Sequence, residues 1–476
     1  MEGDVVASDV PSSSGRKRRR RSQVSSATSG TRAADLKLSD YAALSAPVLA
    51  FTLAHFFGGA AEPTAALWFT ALIALLMPAM IILGDRRDEL GLIWPGRIVA
   101  GLFALVLLVA VWTLVAPARG TSTPWANLNG PGAITWDKSS TLIEIAKLCG
   151  LAGLFSLGCL AGGRKRRVAG AVRIILTLGA VWAAVGLLLI IGGASQGLEG
   201  LHLTTGGRLT SGFQSANSGA TVYGILAVLS VASLARAIRN LRLGRTPKRS
   251  LAVGAALACV LLFTTCLMLT ASRMGVAATA FAIVALLVWE TFSRKERPSR
   301  RLILLALAGA TAAVFSIGGA DLLWSRLENV DSDAATRGVI FSVHWNAFLQ
   351  SPLFGHGLGS FSAVNAQQMT PENYGALRII GAAHNVYIQW LEETGVLGAL
   401  PMFALIVLII ATAIRRSALL DTGATLQRGL IAANLVLLIH GATDYAIQVP
   451  SIAAFWAYLL GLQFAYGKAR TGKPSA

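Results

Sequence analysis

The stretch that decides the fold is R-I-V-A-G-L-F-A-L-V-L-L-V-A-V-W-T-L-V-A-P at positions 97–117, where Arg97 is the only charged residue. An apolar run of about 20 residues is long enough to cross a bilayer as a single helix. A helix is stable in lipid because it satisfies all its backbone hydrogen bonds internally. This stretch therefore predicts a membrane-spanning helix.

The same pattern recurs along the chain. Its 476 residues are 54% hydrophobic and only 13% charged, whereas soluble domains carry about 25% charged residues. We therefore predict an all-α, polytopic integral membrane protein with about twelve transmembrane helices. The predicted spans are 41–61, 64–84, 97–117, 140–162, 168–193, 216–235, 250–271, 274–292, 302–319, 396–414, 429–449 and 451–467.

The basic residues predict the orientation. One side of these spans carries 32 of the 41 Lys and Arg residues, and cytoplasmic loops are the basic ones in membrane proteins. Both termini are then cytoplasmic. Residues 1–38 form a disordered basic tail, 39–467 the transmembrane domain and 468–476 a second tail. The basic run at 16–21 is a topogenic signal or binds anionic lipid headgroups, and we expect no nucleic-acid partner.

The loop at 320–395 lies on the opposite, outer side, between spans nine and ten. Structureless loops of this length are uncommon in compact domains and usually carry function. Apolar residues near helical spacing predict an amphipathic helix over 336–351, lying on the outer membrane face. Thr336 is positioned to cap this helix and Pro352 to end it.

Seven cations face outward against the topological preference, and two of them lie in short motifs. Arg208 belongs to G-R-L-T-S-G-F-Q-S-A-N-S-G at 207–219, in which Asn217 is placed to cap the next helix. Arg273 belongs to T-A-S-R-M-G, at a tight outer hairpin. The alternative interpretations are an ordinary loop for the first motif and snorkelling to a phospholipid phosphate for the second.

Two further motifs place histidines near this face. In A-H-N-V-Y-I-Q-W-L-E-E-T-G-V-L-G at 383–398, Asn385 is placed to cap a short helix that ends at Gly395. His384 then lies at the positive helix terminus, which favours the neutral imidazole. His440 and Asp444 are four residues apart, on one face of the eleventh span. Intramembrane ionisable residues are functional candidates, although a structural hydrogen bond is the alternative for each histidine.

A glycine-rich motif, S-P-L-F-G-H-G-L-G-S-F, occupies 351–361. Gly355, Gly357 and Gly359 would permit a ligand to approach the backbone closely. The motif is weak alone, because no strand precedes it.

Taken together, these motifs resemble the O-antigen ligase and O-antigen polymerase superfamily, with its Wzy_C-type domain. The resemblance covers about 200–450 and is strongest over 336–400. The family's Pro-Leu-x-Gly-x-Gly-x-Gly-x-Phe and His-Asn…Leu-x-Glu-x-Gly patterns stand almost intact. In the loop of Arg208 the spacing to Gly212 is one residue longer than the family's, and Ser215-Ala216 replaces Asn-Pro.

The resemblance implies a glycosyltransferase in a bacterial inner membrane, with the large loop at 320–395 in the periplasm. Such an enzyme moves a glycan from a polyprenyl-diphosphate donor to an acceptor hydroxyl at the periplasmic face, inverting the anomeric carbon without a metal or cofactor. It places His384 as the catalytic residue and Arg208, Arg273 and Arg337 around the donor diphosphate. Arginine suits this role because its fork binds phosphate bidentately. The implied partners are the lipid-linked glycan, membrane lipids, and lipid A core or another glycan as acceptor.

Several alternatives remain open at this point. Asp331 and Asp333 form the Asp-x-Asp pattern of metal-dependent sugar transferases, although solvated acids or a helix N-terminal charge are simpler explanations. Twelve spans, and G-D-R-R-D-E-L-G at 84–91, are also compatible with a transporter. A non-catalytic export component is a third class. Among enzymes, a ligase, a polymerase and a protein O-glycosyltransferase share this site and differ in acceptor.

Overall fold

A computed structural model of the chain describes residues 3, 38–83, 91, 94–117, 133–192, 204–205, 207–244, 246–293, 330–420 and 423–466. Within these residues lie fourteen α-helices and one two-stranded antiparallel hairpin. The ninth predicted span, nearly all of both tails, the 84–90 part of the transporter-like motif, Arg119 and Arg326 lie outside the described residues.

The elements follow one another in the following order. They are α1 (Leu38–Phe56), α2 (Pro63–Leu83), α3 (Arg97–Val115), α4 (Lys138–Gly162), α5 (Lys165–Ile191), β1 (Thr204–Thr205), β2 (Arg208–Leu209), α6 (Ala216–Arg242), α7 (Pro247–Leu269), α8 (Arg273–Phe292), α9 (Val330–Gln350), α10 (Phe361–Gln368), α11 (Tyr374–Leu377), α12 (Val386–Ala418), α13 (Ala424–His440) and α14 (Pro450–Ala465).

The helices confirm the prediction of an all-α polytopic membrane protein. Eight of those described, α2 to α8 and α12, are long and apolar enough to cross a membrane, and α13 and α14 are shorter apolar helices. Helix α12 contains a kink at Gly395, where φ is 59° and ψ is −173°. The kink separates the predicted short helix from the predicted tenth span, and both are confirmed.

Two helices form the interior of the bundle. Residues 218–232 of α6 are all buried, and so is almost every residue of α14. Helix α6 packs against α7, α8 and α13, whereas α14 packs against α4. Since a helix buried on all sides has little freedom to shift in a packed interior, α6 is a rigid support for the loop that precedes it.

Glycines allow α4 and α14 to approach closely. A Cβ atom added at Gly461 would lie 2.0 Å from the carbonyl oxygen of Phe155, and one at Gly158 would lie 2.3 Å from that of Tyr458. Small residues at such crossings let helix backbones pack in van der Waals contact within membranes. The α4–α14 crossing therefore depends on the absence of side chains at these positions.

Helix α9 corrects one prediction about the large loop. It begins at Val330, so Thr336 does not cap it. Its buried face packs against α12, and its expected place on the outer membrane face stays a prediction. On the buried face the imidazole Nδ1 of His344 lies 2.8 Å from the Glu392 carboxylate, and both side chains are fully buried.

The glycine crossing gives a direct test of the packing. We expect Gly461→Ala to lower the unfolding temperature in detergent, because overpacking a tight core costs about 1–3 kcal/mol. Gly254→Ala is the matched control, since a Cβ there meets nothing within 4 Å. The measurement is thermal unfolding, monitored by size-exclusion chromatography of the protein that remains folded after heating. Equal unfolding temperatures for the two variants would contradict the close crossing.

Candidate functional site

The basic residues and the candidate site residues lie at opposite ends of the helices. Cations occupy the last turns of α6 and α12, at Arg239, Arg242, Arg415 and Arg416. The start of α6, the start of α8 and the end of α13 lie at the other end, which we call the site end. Three loops meet there, at 207–215, 270–272 and 441–445.

Arg208 is held at the site end by two partners. Its Nε donates to the carbonyl oxygen of Thr270 at 2.8 Å, and its terminal nitrogen donates to Asn217 Oδ1 at 2.9 Å. The Nδ2 of Asn217 donates in turn to Asp444 at 2.7 Å. The other oxygen of Asp444 accepts from the backbone N–H of Ala446 at 3.0 Å. The buried carboxylate of Asp444 thus fixes the amide of Asn217, and that amide fixes the guanidinium of Arg208.

The prediction that Asn217 caps α6 is wrong. Ser215 is the capping residue, and its hydroxyl accepts from the backbone N–H of Asn217 at 3.2 Å. Ser215 and Ala216 stand where the resembled family has Asn-Pro, and Ser215 supplies the cap in this chain. Asn217 lies in the first helical turn and is free to join Arg208 to Asp444.

Arg273 begins α8, directly after the capping residue Ser272, whose hydroxyl accepts from Gly275 N at 3.3 Å. A guanidinium at a positive helix end is unfavourable unless an anion compensates it. Arg337 projects from α9 and is half-buried. The same small cavity, about 60 Å³, is lined by Arg208, Asn217, Ala271, Ser272, Arg273, Met274, Arg337, His440 and Thr443.

His440 lies on the wall of this arginine cavity but is not paired with Asp444 along a helix. Helix α13 ends at His440, and Asp444 follows in the next turn, so the prediction of one shared helical face is wrong. The hydroxyl of Thr221 donates to the Asn217 carbonyl at 3.1 Å and lies 2.8 Å from His440 Nδ1. On the other side of the ring, Nε2 lies 3.5 Å from Ser272 Oγ.

His384 stands directly before α12. Asn385 caps this helix as predicted, because its Oδ1 accepts from Tyr387 N at 3.0 Å and Ile388 N at 3.2 Å. The His384 backbone is left-handed, with φ of 53°. Its ring packs edge-on against Tyr445 at 5.2 Å, and its buried Nδ1 has no hydrogen-bond partner among the described residues.

Burial lowers the pKa of His384 below its usual 6.5. Asp444 opposes this by attracting the imidazolium, and Arg337 reinforces it by repelling that cation. Both the Asp444 and Arg337 charges therefore act on His384, although His384 does not line the arginine cavity. The neutral imidazole, the form that can accept a proton, is favoured at pH 7.

His384 opens instead into a larger neighbouring cavity of about 840 Å³. Its walls are mostly apolar and come from α3, α4, α12 and α14, with Phe103, Leu151, Met402, Ile409, Trp456 and Leu460 among them. Polar groups gather near His384, including Gln389 and Glu393. Lys147 of α4 also lines this cavity and is paired with Glu144. The site thus combines a cationic cavity, an imidazole and an apolar groove.

Comparison with known proteins decides the family of this segment. Residues 257–403 match a family model described as O-antigen ligase, Wzy_C. The chain carries an O-antigen ligase domain. The matched segment contains Arg273, Arg337, His384 and Asn385, whereas Arg208 and the loop after α13 lie outside it. No curated protein matches the chain.

The glycine motif of the O-antigen ligase domain packs against protein. Gly355, Gly357 and Gly359 all have positive φ, between 68° and 100°. A Cβ at Gly355 would lie 2.5 Å from the Glu392 carbonyl oxygen, and one at Gly357 would lie 2.1 Å from the Thr135 hydroxyl. These two glycines fasten the loop to α12 near its kink and to the segment before α4. Gly359 also lines the larger cavity, so the approach of a ligand to its backbone stays a prediction.

Four polar residues at the site were not singled out from the sequence, although each has a signal there. Thr221 lies one turn after Asn217, and Ser272 directly precedes Arg273, so each shares a helix end with a predicted residue. Gln389 and Glu393 are four apart on the helix that Asn385 caps, and both face the larger cavity.

Proposed function

We propose that this chain transfers a glycan from a polyprenyl-diphosphate donor to an acceptor hydroxyl at the outer face of the membrane. The observation that carries the proposal is the convergence of Arg208, Arg273 and Arg337 on one cavity. Guanidinium groups that line one cavity present forked, permanently charged donors to an anion bound there. A diphosphate is such an anion and matches the geometry of the arginine fork.

The outer-face assignment rests on the helix ends. The site end is opposite the basic last turns of α6 and α12, and basic helix ends face the cytoplasm in membrane proteins. Undecaprenyl-type donors present their glycans on the periplasmic side, so the donor and the site would meet there.

Transfer would proceed as one displacement. The acceptor oxygen attacks the anomeric carbon while the bond from that carbon to the diphosphate oxygen breaks. The electron pair of that bond leaves with the diphosphate, and the arginines stabilise its growing charge. The acceptor proton passes to the neutral imidazole of His384. Attack opposite the leaving group inverts the anomeric carbon, and these residues require no metal for the step.

The apolar groove fits a lipid-anchored substrate. Its apolar walls can contact the hydrocarbon chain of such a substrate. Because His384 and Tyr445 lie on this wall, the chain would end close to the reacting atoms. Lipid A core and a lipid-linked glycan are both acceptors of this kind. Deletion of the gene separates them, since a lost ligase leaves long lipid-linked chains and a lost polymerase leaves single repeat units.

Substitution of the arginines tests the donor site. We expect Arg208→Ala and Arg273→Ala each to slow transfer about 10- to 150-fold, because hydrogen bonds to charged groups contribute about 1.5–3 kcal/mol. Arg→Lys should recover only part of the rate, since it restores charge without the fork. The measurement is transfer by purified protein with lipid-linked donor.

The control for this experiment is Arg378→Ala. Arg378 is also in the outer loop region but lies over the Tyr374 ring at 5.9 Å, away from the arginine cavity. It should transfer at the wild-type rate. Wild-type transfer by a correctly inserted Arg273→Ala protein would instead assign Arg273 to lipid anchoring.

Substitution of His384 tests the base. We expect His384→Asn to lose about 10²- to 10⁴-fold in turnover with donor binding intact, as for loss of a general base. Asparagine tolerates the left-handed backbone that His384 adopts, so the loss would report the imidazole rather than the fold. Near-normal turnover by this variant would end the general-base assignment.

The pH profile of the wild-type protein checks the same residue. The active form is neutral, so transfer should rise with pH through the His384 pKa and level off above it. Because burial lowers that pKa below 6.5, the rise should be complete by about pH 7. Arg337→Gln removes a repelling cation and should move the rise to higher pH. Asp444→Asn should move it to lower pH.

A further inference from the structure

The conformation of His384 needs external support. Its φ of 53° is left-handed, a region in which a residue with a Cβ atom is strained by about 1–2 kcal/mol. Such strain persists only where the surroundings hold the backbone in place. Asn385 holds the following residues by capping α12. The preceding side of His384 requires a second support.

That support is the side chain of Gln389. The backbone N–H of Ala383, a fully buried residue, donates to Gln389 Oε1 at 3.0 Å. A buried backbone N–H without a partner costs about 1–3 kcal/mol, so this bond fixes where the chain enters His384. Gln389 is itself 7% exposed and reaches this N–H from the first turn of α12.

Glu393 fixes which way the Gln389 amide points. The amide Nε2 donates to one carboxylate oxygen of Glu393 at 2.9 Å, and the backbone N–H of Gly359 donates to the other at 2.8 Å. The hydrogen bonds therefore run in one direction, from Ala383 through the amide to the carboxylate. Only an acceptor at both oxygens of residue 393 completes this arrangement.

We propose that Gln389 and Glu393 are positioning residues that hold His384 against the acceptor hydroxyl. The inference rests on the proposed function of His384 as a base. Glu393 of the Leu-x-Glu-x-Gly pattern and Gly359 of the glycine motif then share one task, which is to hold the Gln389 amide in place. Neither side chain exchanges a proton with substrate in this account.

Isosteric exchange of the two side chains is the test. Glu393→Gln leaves residue 393 with one acceptor oxygen for two N–H donors, and Gln389→Glu sets two carboxylates against each other. In the double variant Gln389→Glu/Glu393→Gln, the new carboxylate accepts from Ala383 and from the new amide, whose oxygen accepts from Gly359. Every donor again has an acceptor.

We expect each single variant to lower kcat about 10- to 100-fold, since a displacement of about 1 Å costs roughly 10²-fold. The double variant should recover to within about threefold of wild type, the non-additivity expected of groups in contact. The donor KM should stay within about twofold throughout, because Arg208 and Arg273 are unchanged. In the His384→Asn background the single variants should cause no further loss.

Gln427→Leu is the control for loss of a buried glutamine, since its amide bonds the Gln463 carbonyl at 2.7 Å in the half of α13 farthest from the site. It should destabilise the protein without lowering kcat.

Failure of the double variant to recover, or single variants with normal kcat, would overturn the positioning role. If the single variants fail to fold and the double variant folds, a near-wild-type kcat of the double variant supports the positioning role and a lowered kcat overturns it. Normal turnover by His384→Asn would instead overturn the proposed function.

Discussion

The physical constraint behind this structure is that arginine is costly in and near a membrane interior unless its charge is compensated. Among the described residues, the cations in the last turns of α6 and α12 meet this constraint at the end of the bundle opposite the site. Arg208 meets it through the carbonyl of Thr270 and through Asn217, which the buried Asp444 holds in turn. The protein itself therefore fixes the Arg208 guanidinium, and in the proposed function a preorganised group of this kind would contribute to electrostatic catalysis.

Backbone strain also occurs at the site end. Ser211, Ala271 and His384 are left-handed residues with a Cβ atom, and each lies in a segment that carries a site residue. The bundle holds these conformations because its helices are packed tightly, above all along the buried α6 and the glycine crossing of α4 with α14. Tight packing far from the site thus sustains the geometry of Arg208, Arg273 and His384.

Hydrophobic runs predicted most of the described helices, because lipid permits few alternatives to a continuous apolar helix. The motif at 383–398 predicted the short helix that ends at Gly395. The family resemblance, rather than any spacing, placed Arg208, Arg273 and Arg337 together. Local pattern did not predict which polar groups meet across the bundle. Asn217 was expected to cap a helix and Asp444 to share one with His440. Asn217 instead contacts Asp444, 227 positions away, and periodicity carries no information about such contacts.

The proposed transfer requires that the arginine cavity and His384 open on the membrane face opposite the basic helix ends. Side-specific labelling measures this directly. Cysteine is introduced at Glu372, in an exposed segment of the large loop, or at Leu243, exposed after α6, in a background with the four native cysteines replaced. With an impermeant maleimide and sealed spheroplasts, Glu372→Cys should be labelled and Leu243→Cys protected. Labelling of Leu243→Cys with protection of Glu372→Cys would contradict the orientation and the function built on it.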